Sequence, residues 1–165
     1  AKGVLTKKMV KSMAKNPIIF ACANPDPEIT PEEVSEVRND AIVATGRSDY
    51  PNQVNNLIGF PYIFRGALDV RALKLTDGMC LAAASEIASY AEKTGLSETH
   101  IVPTMDALEL FAHEAAAVAM KAIEEGVAQI KLDKSEVYEN ALEISKRSRN
   151  ITRSQMDLGF IKPAP

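Results

Sequence analysis

Asn24, Asn55 and Asn56 are the residues of this chain best suited to hold a small polar ligand, because each lies in a loop that follows a short apolar run. Asn24 follows the run Ile18 to Ala23. Asn55 and Asn56 end the stretch Ala44-Thr-Gly-Arg-Ser-Asp-Tyr-Pro-Asn-Gln-Val-Asn-Asn56, which continues from the run Asp40 to Ala44. A primary amide can donate to a carboxylate or accept from a carboxamide without bringing a charge into the pocket. Asn before Pro is also a routine turn starter, and Asn24-Pro25 satisfies that plainer reading as well. Repetition favours the ligand. Two neighbouring strands release the chain into Asn- and Pro-bearing loops, and in an open parallel sheet the crevice lies beyond the carboxyl ends of the strands. Consecutive residues point in different directions, so at most one of Asn55 and Asn56 faces a ligand directly. Gly46, directly after a strand, marks either a close approach of backbone to ligand or a positive φ.

The charged residues near these loops have simpler roles. Arg47 could hold an anionic substrate, but a loop Arg beside Asp49 more commonly pairs with it. Arg65 and Asp69, four apart, read as a structural ion pair on one helix. Asp26 and Glu28 sit just before a helix start and complement its positive end. Asn52 and Gln53 read as helix-start residues. His100 and His113 have no acidic or thiol partner at ligand spacing, and no HExxH pair is present, so no metal site is expected. No Gly-x-Ser-x-Gly elbow, Walker loop or GxGxxG fingerprint occurs, so nothing here cradles a pyrophosphate. No residue is assigned a catalytic role.

Alternating elements must carry these loops. Thr6 caps a helix expected from Lys7 to Lys15, and Ile18 to Ala23 reads as a strand buried on both faces. Thr30-Pro31-Glu32-Glu33 is a helix start with a capping box, and that helix runs to about Arg38. Asp40 to Ala44 is the second strand, so the order predicts a parallel crossover with both loops on one sheet edge. Asn52 to Ile58 is expected to be helical, followed by a helix from Pro61 to Val70. Thr76 caps a helix from Asp77 to Lys93 whose buried stripe is expected at Leu81, Ala84, Ile87, Ala88 and Ala91. Thr104 is expected to cap a helix from Met105 to Glu125, and its Ala115 to Ala119 centre permits close approach. Asp133 with Glu136 is expected to form another capping box, with Val137, Ala141 and Ile144 as the buried edge. The stretch 150–165 lacks periodicity and reads as a surface tail.

Composition narrows the class. With 165 residues and 46% apolar content there is material for a core, and 19 basic against 22 acidic residues leave no basic block. Nucleic acid and anionic membranes are therefore poor partners. No apolar run reaches the ~18 residues of a membrane span. Cys22 and Cys80 read as buried thiols of a reducing compartment, and a soluble, cytoplasmic protein is expected. Two strands against about six helices cannot complete a doubly wound sheet, and two strands alone leave open edges. A larger unit or a second chain is expected to complete the fold.

The blocks Asn24-Pro-Asp-Pro-Glu-Ile29, Ala44 to Asn56 and Phe64-Arg-Gly-Ala-Leu-Asp69 together resemble the later nucleotide-binding domain of bacterial and archaeal malic enzymes, over roughly Gly3 to Lys131. That resemblance implies an α/β fold, the C-terminal half of a Rossmann-like doubly wound parallel sheet, helix-rich and incomplete on its own. Residues 1–131 would be the later part of the NAD(P)-binding domain, and 132–165 a C-terminal helix and tail. The implied activity is oxidative decarboxylation of malate to pyruvate and CO2 with reduction of NAD or NADP, assisted by Mg2+ or Mn2+. It implies contacts from Asn24 and from Asn55 or Asn56 to the substrate carboxylate or the nicotinamide, with Gly46 lining the same crevice. The family's lysine base, tyrosine acid, acidic metal ligands and Gly-rich loop belong to earlier sequence, so metal binding falls to residues outside this chain. The expected partners are the N-terminal half of the enzyme and a second subunit in a homodimer, and the chain alone is expected to be inactive. Two other readings use the same residues: a non-catalytic dinucleotide- or carboxylate-binding module, and a helical interaction domain that shares only descent.

Overall fold

A computed structural model describes residues 1–162. The chain divides into two compact units, one of residues 1–56 with 88–103, the other of residues 57–87 with those from 104 onward.

In the first unit, Thr6 caps α1 (Lys7–Ser12) by accepting the Met9 N–H at 3.3 Å. The helix stops three residues short of the expected Lys15. Its end is gathered by Arg38, whose guanidinium donates to the carbonyls of Val10, Met13 and Ala14 at 2.8, 3.3 and 2.9 Å. Asp40 grips the same guanidinium at 2.7 and 2.9 Å and accepts from the Asn16 backbone at 2.8 Å. These bonds, that of Arg38 first, hold the Asp40 carboxyl well below the usual carboxylate range. The clasp turns the chain into β1 (Ile18–Ala21), which pairs in parallel with β2 (Ile42–Thr45), Ile18 opposite Ile42 and Ala21 opposite Thr45. Between them α2 (Pro31–Ser35) starts with the full Thr30–Glu33 capping box.

The expectation that β1 is buried on both faces is corrected. Ile19 and Ala21 lie in a core with Val10, Ile29 and Val34, whereas Ile18 and Phe20 are 60% and 57% exposed. A strand presents alternate residues to opposite faces, and within this unit only one face is covered. The cysteines are also exposed rather than buried. Cys22 falls just beyond β1, which ends at Ala21 and not at Ala23.

The second unit is helical: α3 (Phe60–Asp69), α5 (Leu108–Glu124) and α6 (Lys134–Asp157), with the start of α4 (Asp77–Thr94), which continues into the first unit. Helix α5 is the hub and packs on both α3 and α6. Its small residues Ala112, Ala115, Ala116 and Ala119 are buried, as the Ala-rich centre predicted. Gly66 of α3 lies so close to α5 that a Cβ there would overlap the Ala115 carbonyl. Tyr62 of α3 stacks on Phe111 of α5 with centroids 4.3 Å apart. Arg65 and Asp69 do form their ion pair.

Other expectations fail in instructive ways. The buried line of α4 contains Met79, Ala83 and Ala91, while Leu81 is 67% exposed. Ala91 is buried as expected, but Leu81 lies two residues from Met79, ~200° round the helix, and Ala84 and Ala88 are exposed with it. Helix α5 begins at Leu108 with Ala107 at its cap. Thr104 instead closes a preceding turn, its carbonyl accepting the Ala107 N–H at 3.3 Å. Asp133 does stand at the cap of α6 but its side chain accepts no cap bond, and the box with Glu136 is not made. Residues 150–157 of the expected tail are the last turns of α6. Val137 and Ala141 anchor the helix, and each further residue adds a backbone bond without needing a buried stripe. Positions 163–165 lie outside the described residues. No helix among the described residues is long and apolar enough to cross a membrane.

Candidate functional site at the carboxyl ends of the two strands

Both strands release the chain at the same sheet edge, since β1 and β2 are parallel and in register to their last residues, Ala21 and Thr45. Beyond β1 come Cys22, Ala23 and exposed Asn24, whose peptide to Pro25 is cis. Glu28 braces this loop by accepting the Ala23 N–H at 3.0 Å, and that bond lowers its own pKa. Glu28 therefore holds the loop after β1, rather than serving the helix end as expected. The Cys22 thiol is raised above its ordinary value by desolvation and then by the Glu28 carboxylate. It stays protonated at neutral pH and is a poor nucleophile.

Beyond β2 the chain makes a closed excursion. The Thr45 carbonyl accepts the Val54 N–H at 2.7 Å, and Thr45 also bridges to Gln53 in parallel. The Thr45 hydroxyl, fully buried, accepts the Arg47 N–H at 3.2 Å. Arg47 grips Asp49 at 2.8 and 2.6 Å, so it is the structural pair and not a free anion binder. Tyr50 lies 5.5 Å under the Arg47 guanidinium and donates to Glu32 at 3.1 Å. After Val54 come half-buried Asn55 and exposed Asn56, the first residue of a 3-10 turn (Asn56–Ile58). That turn is all that forms of the helix expected from Asn52.

Gly46 is where the two loops meet. A Cβ built on it would stand 3.6 Å from the Cys22 carbonyl and 3.9 Å from that of Val54. The residues leading to Asn24 and to Asn55 thus flank one exposed glycine. Its φ is not in the left-handed region, which among the described glycines is adopted at Gly3, Gly95, Gly126 and Gly159. Of the two explanations for Gly46, positive φ is eliminated, and packing within the chain leaves room for a methyl group.

Asn52 is the residue that sequence reasoning assigned wrongly. It starts no helix, having φ 56° and 5% exposure. Its Nδ2 donates to the carbonyls of Val43 and Glu98 at 3.2 and 2.8 Å, and its Oδ1 accepts the Ile101 N–H at 2.9 Å. The available signal was the dipeptide Pro51-Asn52, a turn pair in which Asn tolerates positive φ.

The arrangement offers amides and backbone at an exposed rim, and no base, acid or nucleophile among them. Among the described residues no three of His, Cys, Asp and Glu lie together as a metal ion would require.

The profile of the malic enzyme NAD binding domain matches residues 1–124. The chain belongs to the malic enzyme family. It is 50% identical over 152 residues to an NADP-dependent malic enzyme of Rhizobium meliloti, covering 84% of this chain and 20% of that protein. It is 50% identical over 143 residues to a bifunctional malic/malolactic enzyme of Bacillus subtilis, covering 87% of this chain and 35% of that one. The crystal structure of the Entamoeba histolytica malic enzyme superimposes on all of this chain with a TM-score of 0.95 at 46% identity, and the match spans 34% of that structure. The chain therefore spans between a fifth and about a third of the malic enzymes it resembles. Its parallel strand pair and helices are part of a Rossmann-like α/β fold, as expected from the family's residues.

Proposed function

We propose that this chain is the later part of the nucleotide-binding domain of a malic enzyme that oxidises and decarboxylates malate to pyruvate with NAD or NADP. Residues 1–131 are assigned to that domain and 132–165 to a helix and tail that pack on the enzyme. Asn24, and one of Asn55 and Asn56, hydrogen-bond the substrate carboxylate or the nicotinamide carboxamide. The observation that carries this reading is Gly46, exposed between the Cys22 and Val54 carbonyls with no conformational need to be glycine.

The residues present fit the nicotinamide end of the cofactor. A flat ring and its carboxamide can lie against a bare glycine flanked by amides, whereas no Gly-rich loop offers a pyrophosphate cradle here. When bound, NAD or NADP supplies the acceptor for the hydride from malate C2. This chain contributes orientation: neutral amides fix the carboxylate and the ring without adding charge, and β1 and β2 hold the loops in register. No cluster among the described residues fits Mg2+ or Mn2+, which we assign to the preceding part of the enzyme along with the proton-transfer groups. A homodimer is part of the same proposal.

In a complementation assay, the isolated chain yields no malate-dependent NAD(P) reduction, and adding the preceding part of the enzyme restores it with stoichiometric pyruvate. Tight NAD(P) binding by the isolated chain without restored turnover would instead favour the binding module. Within the complete enzyme, Gly46→Ala keeps stability within about 1 kcal/mol, because the methyl group meets only ordinary contacts. It lowers kcat/KM for malate at least tenfold, since a misplacement of about 1 Å at a reacting centre costs up to a hundredfold. Thermal melting and steady-state kinetics check both halves of that outcome, and wild-type kcat/KM would count against the ligand approach.

A further inference from the structure

We infer that Asn52 is a positioning residue, which sets the path of the chain into Asn55 and Asn56 by tying their loop to the turn at Glu98–Ile101. The inference rests on the proposed role of the asparagine pair and deepens it. The loop 46–53 is otherwise hydrophilic and largely exposed, yet its Asn52 is 5% exposed. Both hydrogens of its amide nitrogen are engaged, by Val43 O on β2 and by Glu98 O. Its oxygen takes the Ile101 N–H. The partners at 98 and 101 lie 46 and 49 residues away, so this is a tertiary fastening and not a local turn bond.

The anchor is itself closed. Ser97 and His100 exchange backbone bonds of 3.3 and 3.1 Å, which makes the 97–100 turn a fixed post. The loop's ends are pinned where Val54 N–H meets the Thr45 carbonyl at 2.7 Å, and its interior is pinned by Asn52. Asn55 follows three residues later. Few side chains satisfy this site. An aspartate would set an oxygen against two carbonyls, alanine would be strained at φ 56°, and glycine would accept the backbone but make no bond.

Glycine therefore separates the clamp from the conformation. In the complete enzyme, Asn52→Gly is expected to lower kcat/KM for malate about tenfold. In a background already carrying Asn55→Ala and Asn56→Ala, the same change is expected to have almost no further effect, because there is nothing left to position. Ile101 N–H should lose its protection from hydrogen exchange in the glycine variant. If Asn52→Gly fails to fold, Asn52→Ser carries the same cycle, since its small uncharged hydroxyl loses most of the clamp without setting an anion against the two carbonyls. An equal fold-loss in both backgrounds would show a merely structural residue and overturn the inference, as would wild-type kinetics of the single variant. Wild-type kinetics of the Asn55→Ala, Asn56→Ala enzyme would instead overturn the proposed role of the pair, and the two failures read differently.

Discussion

Alanine at Asn24 lowers kcat/KM for malate roughly thirtyfold in the complete enzyme and leaves its melting temperature unchanged. A hydrogen bond to a charged partner contributes about 2 kcal/mol, which at a desolvated reacting centre appears as that loss of rate. Stability is indifferent because Asn24 is exposed and follows β1, outside the core of Val10, Ile19, Ala21, Ile29 and Val34. The same experiment distinguishes Asn55 from Asn56. On the proposed reading at most one of two consecutive side chains faces the crevice, so one alanine variant is expected to repeat the large loss and the other to cost little in turnover. Kinetics with malate and cofactor varied separately, set beside thermal melts of each variant, check the whole pattern. Unchanged kcat/KM in all three single variants would leave the loops as turns that resemble the enzyme by descent alone.

Glu114→Gln stabilises the chain at neutral pH by about 3 kcal/mol, and the gain vanishes in acid. Glu114 is fully buried in the middle of α5, and among the described residues neither carboxylate oxygen has a hydrogen-bond partner. One of them lies 3.7 Å from where a Cβ on Gly59 would stand, at the uncapped start of α3. Burial pushes this carboxyl up to about 9 from its ordinary 4.5. The sign follows from comparing the two states. Below pH 4.5 the group is neutral whether the chain is folded or unfolded, and it costs nothing through ionisation. Above that the unfolded chain ionises and the native chain does not, so stability falls by ~1.4 kcal/mol per pH unit. The fall ends only as pH passes about 9, where the native group ionises as well. Glutamine imitates the protonated acid and cannot titrate, so the variant lacks this slope. Urea unfolding of both chains from pH 5 to 8 measures it, and parallel curves would contradict the buried, proton-bearing state of Glu114.

How much of this could be read in the residues depended on the range of each interaction. Thr30, Pro31 and Glu33 announced α2 because a capping box closes within four residues. Arg47 with Asp49 and Arg65 with Asp69 were legible for the same reason, as partners two and four residues apart. The Ala-rich centre of α5 predicted close packing, and Gly66 against Ala115 supplies it. The Thr104 cap failed because a turn to Ala107 delays the helix, and Asp133 stands at the cap of α6 without making a side-chain bond there. The exposed face of β1 could not be read at all: Ile18 and Phe20 differ from Ile19 in what covers them, not in chemical type. Asn52 escaped because its partners at Glu98 and Ile101 are remote in sequence. Glu114 escaped because a lone acid inside a helix reads as solvated unless its burial is known. The rim was the most legible part. The loops that Asn24, Gly46, Asn55 and Asn56 occupy do leave the same sheet edge and meet at Gly46.

The central proposal is that neutral amides from the loops after β1 and β2 hold malate and the nicotinamide in one crevice, while the reacting groups come from the preceding part of the enzyme. A crystal structure of the complete enzyme with NAD(P) and an unreactive malate analogue tests it most directly. The account predicts the side-chain amide of Asn24 and that of either Asn55 or Asn56 within about 3.2 Å of a ligand oxygen or nitrogen, with Gly46 against the ring. A ternary complex in which none of these amides touches either ligand would contradict it.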